Sequence, residues 1–108
     1  MTDDELTARI GLLLLGVRRG AEVSSAEISR RVGIPDVPGQ PATRELIAQA
    51  VRRFKLPIGA NERGYFLIET PSELETYVGE LKSRANAILS RAEAVERAFL
   101  AHQSGDPL

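Results

Sequence analysis

The sequence predicts a mainly α-helical domain carrying one small β-hairpin, followed by a long C-terminal helix. Three observations predict it. Apolar residues recur at helical spacing in three separate stretches before residue 55. The period then changes, and two short apolar runs flank a turn-rich segment at Gly59–Gly64. From Leu74 to Phe99 an apolar residue returns every three or four positions without a break.

The first helix is expected over residues 3–19. Leu6, Ile10, Leu13 or Leu14, and Val17 form its inner face. Thr2 or Asp3 caps its start, Asp3, Asp4 and Glu5 suit the positive end of the dipole, and Arg18 and Arg19 suit the negative end. Gly20 stops it. Ser24 or Ser25 opens a second helix, and Ser24 with Glu27 has capping-box spacing. Ala26, Ile28 and Val32 are its expected inward residues, and Gly33 with Ile34-Pro35 ends it. Asp36 to Pro41 reads as a loop. A third helix follows, capped by Thr43, with Leu46, Ile47, Ala50, Val51 and Phe54 as its apolar stripe.

Leu56-Pro-Ile58 and Tyr65-Phe-Leu-Ile68 are the two strands, joined by a turn of about six residues. Pro57 places the first strand at an edge, and Tyr65 and Phe66 should split between core and surface. The last helix begins at Thr70 or Ser72, with Pro71 in its first turn. The division expected is a domain over 1–70, the helix over 71–102 and a flexible tail over 103–108.

The last helix spaces Leu74, Val78, Leu81, Ala85, Ile88, Ala92, Val95 and Phe99 as a heptad seam. Near 30 residues it spans about 45 Å, more than the core of a 70-residue domain can cover. Leu81, Ala85, Ile88, Ala92, Val95 and Phe99 are therefore the expected contacts with a second copy. The alternative is a fold back along the first helix, whose Leu12–Leu15 run also needs cover.

Composition narrows the chemistry. There is no cysteine, which excludes disulfides, thiolate nucleophiles and Cys-based zinc sites. The acidic start, Met1-Thr-Asp-Asp-Glu5, lacks the basic character of a secretory leader, and no apolar run approaches a membrane span. A cytoplasmic location without a membrane partner is expected. No phosphate-binding glycine loop, metal-ligand spacing or catalytic triad is present, and His102 is the only histidine. No catalytic residue, metal or cofactor is expected.

Net charge is −1, yet it is unevenly placed. Residues 18–63 carry nine bases and five acids, and from Glu69 onward four bases face seven acids. An anionic partner would sit on the middle of the chain. Arg44, Gln49, Arg52 and Arg53 are the third helix's candidates for double-stranded DNA. Arg bonds guanine or phosphate, and Gln reads adenine. Arg52 and Arg53 equally suit the helix's C-terminal dipole. Lys55, and Asn61 and Arg63 at the hairpin tip, extend the basic surface. Asn61 also has plain turn chemistry. Ser25 and Ser24 are either phosphate ligands or simple caps.

The order of elements, with the run Val23-Ser-Ser-Ala-Glu-Ile-Ser-Arg-Arg-Val-Gly-Ile34 and the later Leu46-Ile-Ala-Gln-Ala-Val-Arg-Arg-Phe54, resembles winged helix-turn-helix proteins. Gly64-Tyr-Phe-Leu67 and Leu81-Lys-Ser-Arg-Ala85 extend the likeness. It is nearest to small prophage-encoded winged-helix proteins and the N-terminal domain of biotin-operon repressors, and covers about residues 22–99. The resemblance implies a recognition helix, a wing that contacts DNA, and work in transcription regulation or in phage-type replication or excision. Two features depart from it. The second and third helices are joined by a long link, Ile34 to Ala42, and Lys55 stands near the position of a wing-entry glycine. A competing expectation is a protein-interaction adaptor that docks a partner through the heptad helix.

Overall fold

The computed structural model describes residues 1–35 and 37–105. Two compact units divide at Leu74, namely Met1–Leu74 and Glu75–Leu108. The chain is mainly helical, with an antiparallel hairpin: α1 (Asp3–Leu14), α2 (Ser25–Val32), α3 (Pro41–Phe54), β1 (Ile58–Asn61), β2 (Gly64–Leu67) and α4 (Pro71–Gln103).

α1 starts as its sequence predicts. Thr2 Oγ1 accepts the Glu5 N–H at 3.2 Å, and three acids fill the first turn. It ends at Leu14, five residues earlier than expected. Two tight backbone bonds, from Gly16 N to the Leu13 carbonyl and from Val17 N to the Leu14 carbonyl, close the helix. The Val17 carbonyl is then taken by Leu67 N of β2 at 2.8 Å. Val17 is buried, so the chain leaves the helix to reach the sheet. Arg18 therefore serves the helix end from outside it, donating to the Leu15 carbonyl at 2.8 Å and pairing with Glu69 at 3.0 Å.

The core of the first unit is aliphatic. Ile10 and Leu14 of α1 meet Ile28 and Val32 of α2 and Leu46, Ile47 and Ala50 of α3, with Ile58, Phe66 and Ile68 from the hairpin region also buried. In α2, Ser29 rather than Ala26 is buried. Its hydroxyl is fully bonded within the core, which makes the burial tolerable. Of the α3 stripe, Leu46, Ile47 and Ala50 are buried, Val51 is half-buried and Phe54 is exposed. With Leu12 (72% exposed), Leu15, Ala8, Gly11 and Leu56 it lines an apolar recess of about 300 Å³ open to the surface.

The hairpin is tighter than the sequence suggests. Ile58 pairs with Leu67 and Asn61 with Gly64, leaving Glu62 and Arg63 as the two turn residues. Gly59 belongs to the strand rather than the turn. A side chain there would stand 2.9 Å from the Phe66 ring, so the glycine makes room for the buried aromatic. On its other edge β2 pairs with Val23, through mutual Val23–Tyr65 bonds of 3.0 and 2.8 Å. This single bridge brings the start of α2 against the hairpin. It also explains Gly64, where a Cβ would lie 2.4 Å from the Val23 carbonyl oxygen. Among the described residues β1 pairs with β2 alone, and Pro57 stands just before it. Phe66 is buried and Tyr65 half-buried, the expected alternation.

α3 departs from its expected cap. Pro41 is its first residue and Gln40 its N-cap, in the left-handed conformation at φ 47°. Thr43 is fully buried two residues inside. The link from α2 spans residues 33–40, of which Asp36 lies outside the described residues. At the other end Lys55 is left-handed, with φ 54°. It occupies the site where glycine carries no Cβ penalty. Lys55→Gly is therefore expected to raise stability by about 1 kcal/mol and the melting temperature by several degrees, read by thermal denaturation.

α4 is capped by Thr70, whose Oγ1 accepts the Glu73 N–H at 3.1 Å, while Glu73 accepts from Glu69 N. Its 33 residues span about 50 Å. None of them is buried. Leu81 (42%), Ile88 (57%), Val95 (63%) and Phe99 (60%) of the heptad seam are all exposed, as are Ala85 and Ala92 between them. Leu89 and Leu100 extend the apolar surface beside the seam. Of the expected tail, Gln103 ends the helix, Ser104 and Gly105 form a turn, and residues 106–108 lie outside the described residues. Among the described residues no helix is long and apolar enough to cross a membrane.

Candidate nucleic-acid interface

The Val23–Tyr65 bridge sets the first turn of α2 beside the hairpin tip, and α3 closes the third side. The result is an open recess of about 240 Å³ lined by Ser24, Ser25, Arg44 and the hairpin residues 60–65. Four residues predicted from sequence, Ser25, Arg44, Asn61 and Arg63, share this one recess. They lie on three elements and up to 38 positions apart in the chain.

Each wall has a local cause. Ser24 caps α2, accepting the Glu27 N–H at 3.2 Å, which turns the positive end of the helix dipole toward the recess. Glu27 does not complete a capping box. Its carboxylate pairs with Arg30 and Arg31 one turn on; these guanidiniums hold it below the usual carboxylate range, and the carboxylate in turn raises Arg30. Arg44 projects from α3 one turn after Pro41 and is exposed. Its own N–H reaches the Gln40 carbonyl at 3.0 Å.

Asn61 organises the turn. Its Oδ1 accepts the Arg63 N–H at 2.9 Å, and its Nδ2 donates to Glu22 at 2.9 Å. Both ends of the amide are thus engaged within the protein, which is the turn chemistry of an Asx residue. Glu22 was not foreseen. It also accepts from Gly20 N at 3.1 Å. The Asn61 amide first, then its own and the Gly20 backbone N–H, and more weakly the charge of Arg63, hold its carboxyl down from 4.5 to about 2. No sequence signal marks Glu22, because its partner is 39 residues away.

That depression has a sign. The folded state binds the Glu22 proton less tightly than the unfolded chain does, so the clasp contributes fully above pH 4.5. The contribution is lost as pH falls through about 2. Glu22→Gln is expected to flatten the acid limb of stability between those values, measured as the urea midpoint against pH.

The remaining candidates lie elsewhere. Gln49 is half-buried, its Oε1 3.5 Å from the Thr7 hydroxyl of α1. Arg53 pairs with Asp4 of α1 at 2.6 Å and lies 5.7 Å from the Phe54 ring centroid. Arg52 pairs with Glu45 at 3.4 Å, and Lys55 caps α3. None of these four lines the recess. Arg18, Arg30 and Arg31 are also paired with carboxylates. Arg44 and Arg63, like Arg9, Arg19 and Lys55, stand outside these pairs. Among the described residues neither Arg44 nor Arg63 has a carboxylate within salt-bridge distance. Glu62 is, among the described residues, the recess's one acidic lining residue.

Such a recess fits a compact anion held by two guanidiniums and a helix start. Among the described residues no cluster of histidine and carboxylates could hold a metal. No family model, no curated protein and no solved structure matches this chain.

Proposed function

We propose that this chain is a winged helix-turn-helix protein that binds double-stranded DNA as a dimer, in transcription regulation or in phage-type replication or excision. The observation that carries the reading is a pair of guanidiniums, Arg44 on α3 and Arg63 on the hairpin turn, that line one recess at the start of α2 and, among the described residues, have no carboxylate within salt-bridge distance. In this reading α3 enters the major groove. A helix about 10–12 Å wide matches a groove about 12 Å wide. Arg44, near the leading end of α3, meets base edges or phosphate. The hairpin is the wing, and Arg63 takes a neighbouring phosphate while Ser24 and Ser25 face the backbone between them.

The exposed seam of α4 supplies the second copy. Two copies related by a two-fold axis would present two such surfaces to two half-sites. The test is fluorescence anisotropy with a random-sequence duplex across a salt series. Micromolar binding that weakens steeply with salt supports the reading. A folded protein that shows no binding at low salt removes it.

The exposed apolar face of α4 also favours a second reading, an adaptor that docks another protein along that helix. Substitution distinguishes the two. Recess arginines matter only to the first, and the seam matters to both.

A further inference from the structure

Between α2 and α3 lies a buried cluster of polar side chains that the proposed contacts do not use. Ser29 and Thr43 are fully buried, in α2 and α3, with their hydroxyl oxygens 2.6 Å apart. Ser29 also reaches the Ser25 carbonyl at 2.8 Å and Gln40 Oε1 at 3.2 Å. Each hydroxyl has a single proton to give. If Thr43 donates to Ser29, the Ser29 proton is free for the Ser25 carbonyl, shared with Gln40, and every partner is satisfied. In that arrangement Thr43 donates to Ser29 and Ser29 to the Ser25 backbone.

One end of this chain, Ser25, lines the recess, and the other, Thr43, is the chain neighbour of a lining residue, Arg44. Gln40, which joins at Ser29, is the N-cap that fixes where α3 begins. Apolar packing between α2 and α3 tolerates small slides, whereas a directed chain of short hydrogen bonds fixes distance and angle together.

We propose that Thr43 and Ser29 are positioning residues, which set the span between Arg44 and the first turn of α2 so that one phosphate group can be held by both. This rests on the DNA reading above. It adds a role for residues that never touch the ligand.

A double-mutant cycle on anisotropy-measured affinity tests it, with the full chain and a fixed duplex and salt. Thr43→Val keeps the shape and removes the proton. It is expected to weaken binding about tenfold, with circular dichroism confirming the fold. Thr43→Ser restores the hydroxyl and recovers most of that loss. In an Arg44→Ala background Thr43→Val has little further effect, because the side chain it positions is gone. Ser29→Ala serves as a second entry to the same cycle if Thr43→Val does not fold.

An equal loss from Thr43→Val with and without Arg44, or a fall in melting temperature with unchanged affinity, overturns the positioning role and leaves the DNA reading standing. Wild-type protein that binds no duplex overturns both.

Discussion

Replacing Arg44 and Arg63 together by alanine is expected to weaken duplex binding more than a hundredfold. Each guanidinium makes a charge-assisted hydrogen bond to phosphate or base in the proposed complex. Such bonds contribute about 1.5–3 kcal/mol each, or about 3 kcal/mol and above for the pair. The salt dependence should change with them. Each phosphate contact contributes about 0.9 to the slope of log affinity against log salt, so the double variant loses up to about 1.8. Arg52→Ala with Arg53→Ala makes the informative comparison. Both are held by carboxylates, and neither lines the recess. That variant should keep most of the affinity while Arg53→Ala removes a link to α1. If the two double variants weaken binding equally, the recess is not the contact surface, and general positive charge is responsible.

Ile88→Asp should convert the protein to a monomer. Ile88 lies in the middle of the heptad seam and is 57% exposed in the single chain. In a symmetric pair it would be buried twice. Losing a buried isoleucine costs about 2–5 kcal/mol per copy, before the cost of burying a carboxylate. Dimer affinity should fall at least about a thousandfold, read as a halved mass in sedimentation. Arg97→Asp, off the seam, should leave the mass unchanged. In the DNA reading the monomer also loses affinity for a two-half-site duplex while its recess stays intact. A mass unaffected by Ile88→Asp would remove the seam as the self-association surface.

Much of the fold was legible before the structure, and the exceptions share a cause. α2 announced both its ends, because Ser24 and Gly33 act on neighbouring residues. α4 was legible for its whole length, because a heptad is a local pattern. The end of α1 was not. Leu14 to Arg19 has no strong helix breaker before Gly20 except Gly16, and the deciding bond is donated by Leu67 N to the Val17 carbonyl. The hairpin turn was misjudged for the same reason. Gly59 looks like a turn residue until Phe66 is placed against it. Thr43 reads as a cap, and only Ser29, fourteen residues away, reveals it as core.

The candidate site divides along that line too. Residue type and place in the expected helices and hairpin put Ser25, Arg44, Asn61 and Arg63 among the candidates, and the bridge at Val23 sets Ser25 beside the hairpin residues Asn61 and Arg63. Arg44 stood apart from Arg52 and Arg53 already by its place near the start of the third helix, but which guanidiniums already have an acid was not legible. Asp4 is 49 positions from Arg53, and no pattern within α3 could show it.

The exposure of α4 links the protein's shape to its abundance. A helix with no buried residue draws little stability from its own chain, and isolated helices are marginal in water even at favourable lengths. Pairing would supply the missing stabilisation, and pairing follows mass action. Dilution should then loosen α4 while the first unit stays folded, and occupancy of a double half-site should rise with the square of the monomer concentration while monomers predominate. A cell holding few copies would leave the site bare, and a modest increase in copy number would fill it, giving a threshold response without any small-molecule signal.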